Sequence, residues 1–564
     1  APKNDGCQHI LIVCSSCRQA IHPSRLLHHK TSHRALALLG FASPQTRPDS
    51  KTLLAQRQKL ISKWNKMPQH SETQRQKIDY SFEFLMGNHT PTSRCNPDAV
   101  NSPSTLRVNN SLIKALSICQ DKNSTWQGVM QDRVIVLDSY GNRSDTCFLG
   151  VVDGFYGVTA AETVAAELPI LLLDQLARTD SSYEKSKDEQ QIMDSFRTVF
   201  NATYQERERI FSDKLGKDRS DAYAWVHKAY AKAFWRMDRL LRLGRNEVSK
   251  VRWSGCSAVT CLVERIPSEE TGGTEEEERR HSEGSTHRLL AETGRGAAGL
   301  LHIANTGNAH AVLCKNGKSH CLSEEHSTSN AGERKRILHN GGSISTHEPH
   351  GLVEGYLRTT RGLGYHGDPV LKRSVIPVPH TISVRIDDTC QFLILASNGL
   401  WEVLDYNEVL ALTLTTFTHY LTTYEPVKQN RASLCQCQNS MPLMEDNLKD
   451  SKATSSQQDE TEILYPSKDV FVSDSKGNFK QSHAAKELLT TASAAVCNPP
   501  PQLEEDTKTY PCHCKSKPAG TGPVSSQTLY HSAASYISQQ LVKTALAAGS
   551  RENITVLIAL LNGC

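Results

Sequence analysis

Long apolar stretches and a strong excess of one charge are both missing from this chain of 564 residues. No apolar run reaches the roughly 20 residues of a membrane-spanning helix, so we expect no transmembrane helix. The net charge of +4 is too small to argue by itself for binding to nucleic acid or to a membrane surface. The N-terminal residues also lack the basic stretch and long apolar run of a signal peptide. We therefore expect no membrane partner.

The cysteine content points to a reducing environment. There are 17 cysteines, an odd number scattered along a long chain, which suits free thiols and an intracellular protein, cytoplasmic or nuclear. The length allows one large domain or two to three smaller ones. Because the hydrophobic fraction is only 38%, part of this length is expected to be polar insertion rather than core.

A cluster of cysteine and histidine residues lies near the start of the chain, in CSSCRQAIHPSRLLHHKTSH. Four soft or borderline ligands at this spacing can close a tetrahedral zinc site. The alternative is a chance register in a histidine-rich segment. A single finger without a basic array favours a structural or protein-binding role and argues against a nucleic-acid partner. The candidate zinc ligands of this finger-like segment, residues 1–40, are Cys14, Cys17, His29 and His33, with His28 as an alternative third ligand.

The rest of the chain divides by its pattern of apolar residues. Residues 41–110 are predicted to be a linker with one helix, from Lys51 to about Lys66. From residue 111 to 562 many strands and grouped helices predict an α+β fold. Two polar stretches, 265–297 and 425–526, interrupt this domain and are predicted to be disordered inserts. Strands are predicted at 112–119, 132–138, 146–152, 257–264, 299–304, 309–314, 381–386, 391–396 and 553–560, and helices at 158–178, 188–214, 219–243, 330–340 and 528–547.

The stretch FLGVVDGFYG, which starts at Phe148, combines a buried strand with an acid. The strand is predicted to end at Val152, so that Asp153 and Gly154 follow it directly. An acid held at the end of a rigid strand, beside a glycine that lets the backbone approach closely, suits a hard divalent cation. The alternative interpretation of Asp-Gly is a plain turn.

Seven stretches of the chain occur in a characteristic order. They are WQGVMQDR (126–133), VVDGFYG (151–157), SGCSAV (254–259), IANTGNAHAVLCKNG (303–317), LSEEHSTSNAGERKRILHNGG (322–342), ILASNGLWEVL (394–404) and SRENITVLI (550–558). This order resembles one family, the metal-dependent serine/threonine phosphatases of the PPM, or type 2C, class. The resemblance implies a β-sandwich of two antiparallel sheets flanked by helices on both sides. It also implies two or three Mg²⁺ or Mn²⁺ ions that activate a water for attack on phosphoserine or phosphothreonine.

Part of the family's metal site is retained under this resemblance. An Asp-Gly pair stands at Asp153 and Gly154, and Asp132 keeps the second acid of a Glu-Asp pair. Glu402 and Glu552 stand where the family has aspartates, so each carboxylate sits on a side chain that is one methylene longer. These acids leave room for one weakly bound Mg²⁺ or Mn²⁺ ion.

The remaining positions have changed. Amides at Gln131, Asn308 and Asn398 stand where the family has acids, Gln127 replaces its phosphate-binding arginine, and Phe155 replaces the histidine that protonates the leaving group. In isolation the two asparagines also suit an ordinary turn and a strand-end cap. We interpret the chain as a pseudophosphatase that acts as a binding or scaffold module for phosphoproteins or a partner phosphatase. The alternative is a weak Mg²⁺- or Mn²⁺-dependent phosphatase.

Overall fold

The protein is described by a computed structural model that covers most of the chain. The described residues are 11–41, 48–64, 71–87, 100–214, 222–245, 249, 251–266, 299–345, 351–437 and 526–564. The disorder predicted for the two inserts falls largely outside these ranges. However, the helix that begins at Tyr406 extends to Cys437, so the second insert does not begin at residue 425 as predicted.

The N-terminal segment folds as a hairpin followed by helices. Strands β1 (Ile12–Val13) and β2 (Ala20–Ile21) pair antiparallel and lead into helix α1 (Pro23–Leu38). Helices α2 (Ser50–Trp64) and α3 (Ser71–Met86) follow. The prediction of a single helix between residues 41 and 110 is therefore corrected by α3. The three helices bury a small apolar cluster made of Ala35, Leu36, Leu39, Leu53, Ile78 and Leu85, and this shared core explains why α3 forms.

Two antiparallel sheets of six strands each make up the body. The first has the order β10-β9-β13-β14-β4-β3 and the second the order β12-β8-β7-β6-β5, with β11 paired to β7. The strands are β3 (Ser104–Leu106), β4 (Ile113–Asp121), β5 (Arg133–Asp138), β6 (Thr146–Phe155), β7 (Gly255–Arg265), β8 (Gly299–Thr306), β9 (His310–Lys315), β10 (Lys318–Cys321), β11 (Leu363–Gly364), β12 (His380–Ile386), β13 (Cys390–Ala396) and β14 (Ile554–Leu561).

Helices cover both outer faces, so the predicted sandwich is confirmed. One apolar core joins the second sheet to α4 (Thr159–Ala177), α5 (Lys187–Ser195), α6 (Ala202–Lys214) and α7 (Ala224–Leu243). Another joins the first sheet to α10 (Asn398–Trp401), α11 (Tyr406–Cys437) and α12 (Ser526–Ala547). The short helices α8 (Ala331–His339) and α9 (Pro369–Ser374) lie in the connection between β10 and β12. None of the described helices has the length and apolar character needed to cross a bilayer.

Strand β6 is apolar at nearly every position because both of its faces are buried. Successive side chains of a strand point to opposite faces. Leu149 and Val151 lie in the core between the sheets, whereas Phe148 and Val152 pack in the core beneath α4 and α7. The strand is therefore buried on both faces, which fixes its position at the centre of the sandwich.

Two predicted boundaries differ from the structure in ways that matter. The helix predicted over 188–214 is two helices, α5 and α6, separated at residues 196–201. Strand β6 does not end at Val152, because its pairing with β7 continues as far as Phe155 opposite Gly255. Asp153 is consequently a residue within the strand, opposite Ser257, and does not follow the strand's end.

Candidate functional site

The candidate site lies at one edge of the sandwich. In the second sheet this edge contains the start of β5, the end of β6 and the end of β8. In the first sheet it contains the end of β13 and the start of β14. Hydrogen bonds join the two sheets there: Thr555 Oγ1 donates to Asp132 Oδ2 at 2.8 Å, and the backbone N–H of Asn398 donates to Asp153 Oδ2 at 2.8 Å. The fold thus brings together residues that are hundreds of positions apart.

Asp132 and Asp153 are both buried, with 1% and 2% of their surfaces exposed. Burial raises the pKa of Asp132. Burial, followed by the nearby carboxylates of Asp132 and Glu552, raises the pKa of Asp153 well above its usual range. The Asp132 Oδ1 atom is buried and accepts no hydrogen bond. Two acids therefore share a dry environment in which keeping both charged is costly.

Glu552 is held by an amide. Asn398 Nδ2 donates to Glu552 Oε2 at 2.8 Å. Burial first, and then the carboxylate of Glu402, raises the pKa of Glu552 to about 7. The side-chain amide thus stands as a hydrogen-bond donor beside a carboxylate, where an aspartate would add a second acceptor and a second negative charge.

Glu402 is committed to the loop before β14. Its Oε1 atom accepts from Ser550 Oγ at 2.7 Å, from the N–H of Arg551 at 2.7 Å and from the N–H of Glu552 at 3.3 Å. Three donors on one oxygen indicate that this carboxylate shapes the loop. The structure therefore gives Glu402 a positioning contact that the sequence does not reveal.

The glutamines at the rim are also used by the protein itself. Gln127 Nε2 donates to the carbonyl of Arg551 at 2.8 Å, and Gln131 Oε1 accepts from the N–H of Gly157 at 2.7 Å. Phe155 packs against an apolar cluster that includes Ile337 and Tyr365. The two glutamines therefore join loops at this edge by hydrogen bonds, and Phe155 contributes to apolar packing.

Asn308 and Gly154 occupy tightly confined positions at the same edge. The N–H of Asn308 donates to Ser257 Oγ at 3.2 Å, while its Oδ1 atom is buried without a hydrogen bond. A Cβ atom on Gly154 would stand 2.5 Å from the carbonyl oxygen of Gln131. Glycine is therefore required at position 154 by the approach of the neighbouring backbone.

Comparison with known proteins identifies the family. The family model described as protein phosphatase 2C matches residues 202–442. A human protein named protein phosphatase 2C-like domain-containing protein 1 is 42% identical over 98% of this chain and 89% of its own length. The mouse protein of that name is 38% identical over 98% of this chain and 88% of its own length. This chain belongs to the protein phosphatase 2C family.

Solved structures add little to this assignment. The superposition with the structure of a C. elegans sex determining protein covers 96% of this chain and 88% of that protein's chain, with a TM-score of 0.38 and 13% sequence identity. The fold assignment rests on the order and pairing of the strands.

The phosphatase 2C family depends on Mg²⁺ or Mn²⁺, but the side chains at this edge do not fit a two-ion cluster. Asp132 Oδ2, Asp153 Oδ2 and Glu552 Oε2 each accept a protein donor. Two neighbouring ions would need several free anionic oxygens within reach of one another. Among the described residues, three or more His, Cys, Asp or Glu ligand atoms lie within 4.8 Å of one another only at the N-terminal hairpin.

That second site consists of Cys14, Cys17, His29 and His33. The Sγ atom of Cys14 lies 3.6 Å from His33 Nε2, Cys17 Sγ lies 3.2 Å from His29 Nε2, and the two Nε2 atoms are 2.9 Å apart. A tetrahedral zinc ion would separate neighbouring ligand atoms by about 3.3 to 3.8 Å. Burial lowers the pKa of both histidines, which favours the neutral rings that ligate metals. The separation between Cys14 Sγ and His33 Nε2 lies in the range expected around zinc, and the other two are shorter. The four ligand atoms lie within 4.8 Å of one another, so these residues fit zinc once the side chains open around the ion.

His28 does not join this group. Its ring stacks near Phe84 of α3, with 5.0 Å between the ring centroids. The alternative in which His28 supplies the third ligand is therefore wrong for this conformation, because α3 occupies the space beside that side chain. The helical register of α1 instead places His29 and His33 one turn apart on the face towards the cysteines.

Sequence reasoning missed two residues that organise the edge. Asn553 Oδ1 accepts from the N–H of Gln131 at 2.8 Å, and its Nδ2 atom donates to the carbonyls of Lys122 and Val129. Thr555 holds Asp132. The signal available was two polar residues at the start of an otherwise apolar strand, a pattern that indicates buried partners.

Proposed function

We propose that this phosphatase 2C-like domain is a pseudophosphatase that serves as a binding or scaffold module. The observation that carries the proposal is the hydrogen bond from Asn398 Nδ2 to Glu552 Oε2. A donor placed on that carboxylate stabilises the site without a cation, whereas an aspartate there would need one. The family's metal-binding chemistry is therefore replaced by contacts within the protein.

The other changes affect separate parts of the reaction. Removing an acid removes a partner whose attraction to a cation is worth several kcal/mol at an effective dielectric constant near 20. Phe155 has no proton to give, and the loss of a general acid typically costs about 10² to 10⁴ in rate. Gln127 cannot form a charged bidentate contact with phosphate. One compensating substitution cannot restore all three functions.

The rim of the site suits a protein partner. Trp126, Tyr156 and Trp253 lie on the loops at this edge and are 49%, 63% and 63% exposed. The guanidinium of Arg551 lies 4.8 Å from the ring centroid of Trp126. Exposed aromatic and arginine side chains are the residue types that dominate protein interfaces. A phosphoprotein segment is the favoured partner, and a partner phosphatase is the second.

Weak Mg²⁺- or Mn²⁺-dependent hydrolysis of phosphoserine or phosphothreonine is the alternative function. It is supported by the buried Oδ1 atom of Asp132, which accepts no hydrogen bond, and by the four acids that remain. One cation bound there would be weak, because three family acids are amides in this chain.

Phosphopeptide hydrolysis in millimolar Mn²⁺ separates the two functions. The pseudophosphatase predicts that the parent chain and an Asp153→Ala variant release phosphate at the same background rate. Turnover in the parent chain that disappears in Asp153→Ala would instead establish the weak enzyme.

Binding is tested with a fluorescent phosphoserine peptide pool and its unphosphorylated counterpart. Arg551→Ala should weaken binding of the phosphorylated pool by about tenfold, the loss expected for one charged contact. Arg334→Ala removes an exposed arginine from α8 and is the matched control. Equal binding of both pools would refute a phosphoprotein partner.

We also propose that Zn²⁺ occupies the N-terminal finger and that the protein is intracellular, in the cytoplasm or the nucleus. The convergence of four cysteine and histidine ligand atoms within 4.8 Å of one another supports the first proposal. Free thiols support the second, because the ten cysteines whose side chains the structure describes are unpaired. Metal analysis of the purified full chain tests zinc occupancy, with one zinc per chain expected.

A further inference from the structure

The N-terminal finger is packed into the phosphatase-like body. Ile12 of β1 and Leu26 of α1 are buried to 2% and 0% exposure, and both belong to the apolar core beneath the first sheet. That core also contains Leu400, Val403 and Leu404, which directly follow the candidate-site residue Asn398. The finger therefore shares its core with the segment that presents the site.

Polar contacts from the finger converge on the start of helix α11. Lys30 Nζ donates to Glu408 Oε2 at 2.5 Å and to the carbonyl of Val403 at 2.9 Å. Ser15 Oγ, between the two cysteines, donates to Asp405 Oδ2 at 2.6 Å. The Glu408 side chain is fully buried, so Lys30 is the cation that compensates a desolvated carboxylate.

Asp405 and Glu408 themselves form the cap of that helix. Asp405 Oδ1 accepts from the N–H groups of Asn407 and Glu408, and Glu408 Oε2 accepts from the N–H of Asp405. This reciprocal arrangement is a capping box, which fixes where a helix begins. The finger contacts both members of the box, so it supports the point at which α11 starts.

The segment that ends at this cap also contains residues of the candidate site, and one of them contacts the loop before β14. Residues 398–408, called here the site segment, include Asn398 and Glu402. Glu402 holds Ser550, Arg551 and Glu552, as described above. The finger also lies against the end of α12, because a Cβ atom on Gly549 would stand 3.3 Å from Leu27 Cδ1.

We infer that the zinc-loaded finger is an internal brace that holds the site segment in place through Lys30, Ser15 and the capping box of α11. This inference rests on the zinc occupancy proposed above. A small hairpin and one helix depend on their metal to stay folded. Loss of zinc therefore removes Lys30 and Ser15 from the cap and leaves Glu408 buried without its cation.

Hydrogen exchange on the full chain, read by mass spectrometry, tests the brace. A zinc-selective chelator should raise amide exchange in residues 398–408 by about tenfold or more, while β7 at the centre of the second sheet stays protected. Lys30→Met should raise exchange in the same residues and yet retain one zinc per chain, because Lys30 is not a ligand. Arg34→Met, an exposed change on the same helix, should do neither.

The outcomes distinguish the two proposals. Zinc below about one tenth per chain would overturn zinc occupancy, and the brace with it. One zinc per chain, with exchange in the site segment unchanged both by chelation and by Lys30→Met, would overturn the brace and leave zinc occupancy standing. Increased exchange in both conditions supports the brace.

Discussion

Replacing Asn398 by aspartate should convert a hydrogen bond at the candidate site into a repulsion. In the parent chain Asn398 Nδ2 lies 2.8 Å from Glu552 Oε2. A carboxylate oxygen placed at that distance faces another acceptor. Two unit charges 2.8 Å apart repel by about 6 kcal/mol at an effective dielectric constant of 20.

The protein can avoid this repulsion by binding a proton. Burial already raises the pKa of Glu552 to about 7, so at pH 7 the pair can hold one proton on Glu552 at little cost. The folded Asn398→Asp protein should therefore bind more protons than its unfolded chain. The expected loss of stability at pH 7 is smaller than the repulsion of about 6 kcal/mol. Because the folded state binds more protons, the loss should shrink as the pH falls towards about 4.

Urea unfolding of the full chain at several pH values, in EDTA, measures this difference. Asn398→Ala is the matched control, because it removes the donor without adding a charge and should cost about 1 to 3 kcal/mol with a weaker dependence on pH. Millimolar Mn²⁺ should recover part of the loss only in Asn398→Asp, since a bound cation replaces the proton. If both variants lose the same stability at every pH, the contact does not have the role assigned to it.

Two further predictions concern residues that support the same domain. Glu333 accepts from Arg361 at 2.6 Å and from Arg336 at 2.9 Å, and these contacts outweigh burial, which acts in the opposite direction, to lower its pKa to about 2. The stabilisation by Glu333 is therefore complete above about pH 4.5, where it is worth about 3 kcal/mol, and it is lost as the pH falls towards 2. In urea unfolding at several pH values, Glu333→Gln should remove this pH-dependent part of the stability. The exposed Glu325→Gln should leave it unchanged. Gly399→Ala should lower stability by about 3 kcal/mol in thermal unfolding, because a Cβ atom there would stand 2.1 Å from the Asn553 carbonyl oxygen. Gly128→Ala, with nothing within 4 Å, should have little effect, and equal losses would contradict this reasoning.

Local patterns were enough to predict most of the fold. Leu168 and Leu171 repeat at helical spacing, and α4 buries both. The pattern failed between α5 and α6, where apolar residues at helical spacing do not form a helix. Phe196, Val199 and Phe200 continue a helical spacing, yet they are the buried turn between α5 and α6. Their packing against the core, rather than a continuous helix, determines the backbone there.

The sequence predicts which residues belong to the candidate site but not their arrangement. The order of the motifs predicts which family positions carry amides and which keep acids, and this assignment stays a prediction. It could not show that Gln131 binds the N–H of Gly157, or that Glu402 binds the loop at Ser550. Such contacts join residues that are distant in sequence, and their geometry depends on how the two sheets meet.

These contacts explain why the lost charges have not destabilised the edge of the sandwich. Each retained carboxylate has a donor from the protein: Thr555 for Asp132, the backbone of Asn398 for Asp153, and the Asn398 amide for Glu552. Each hydrogen bond offsets part of the cost of burying its acid, and the raised pKa values of Asp132 and Asp153 favour their neutral forms, which need no cation. Restoring a single acid would therefore break a hydrogen bond before it created a metal ligand. The pseudophosphatase proposal therefore predicts that a two-ion centre needs several simultaneous changes, because each one alone is unfavourable in this fold.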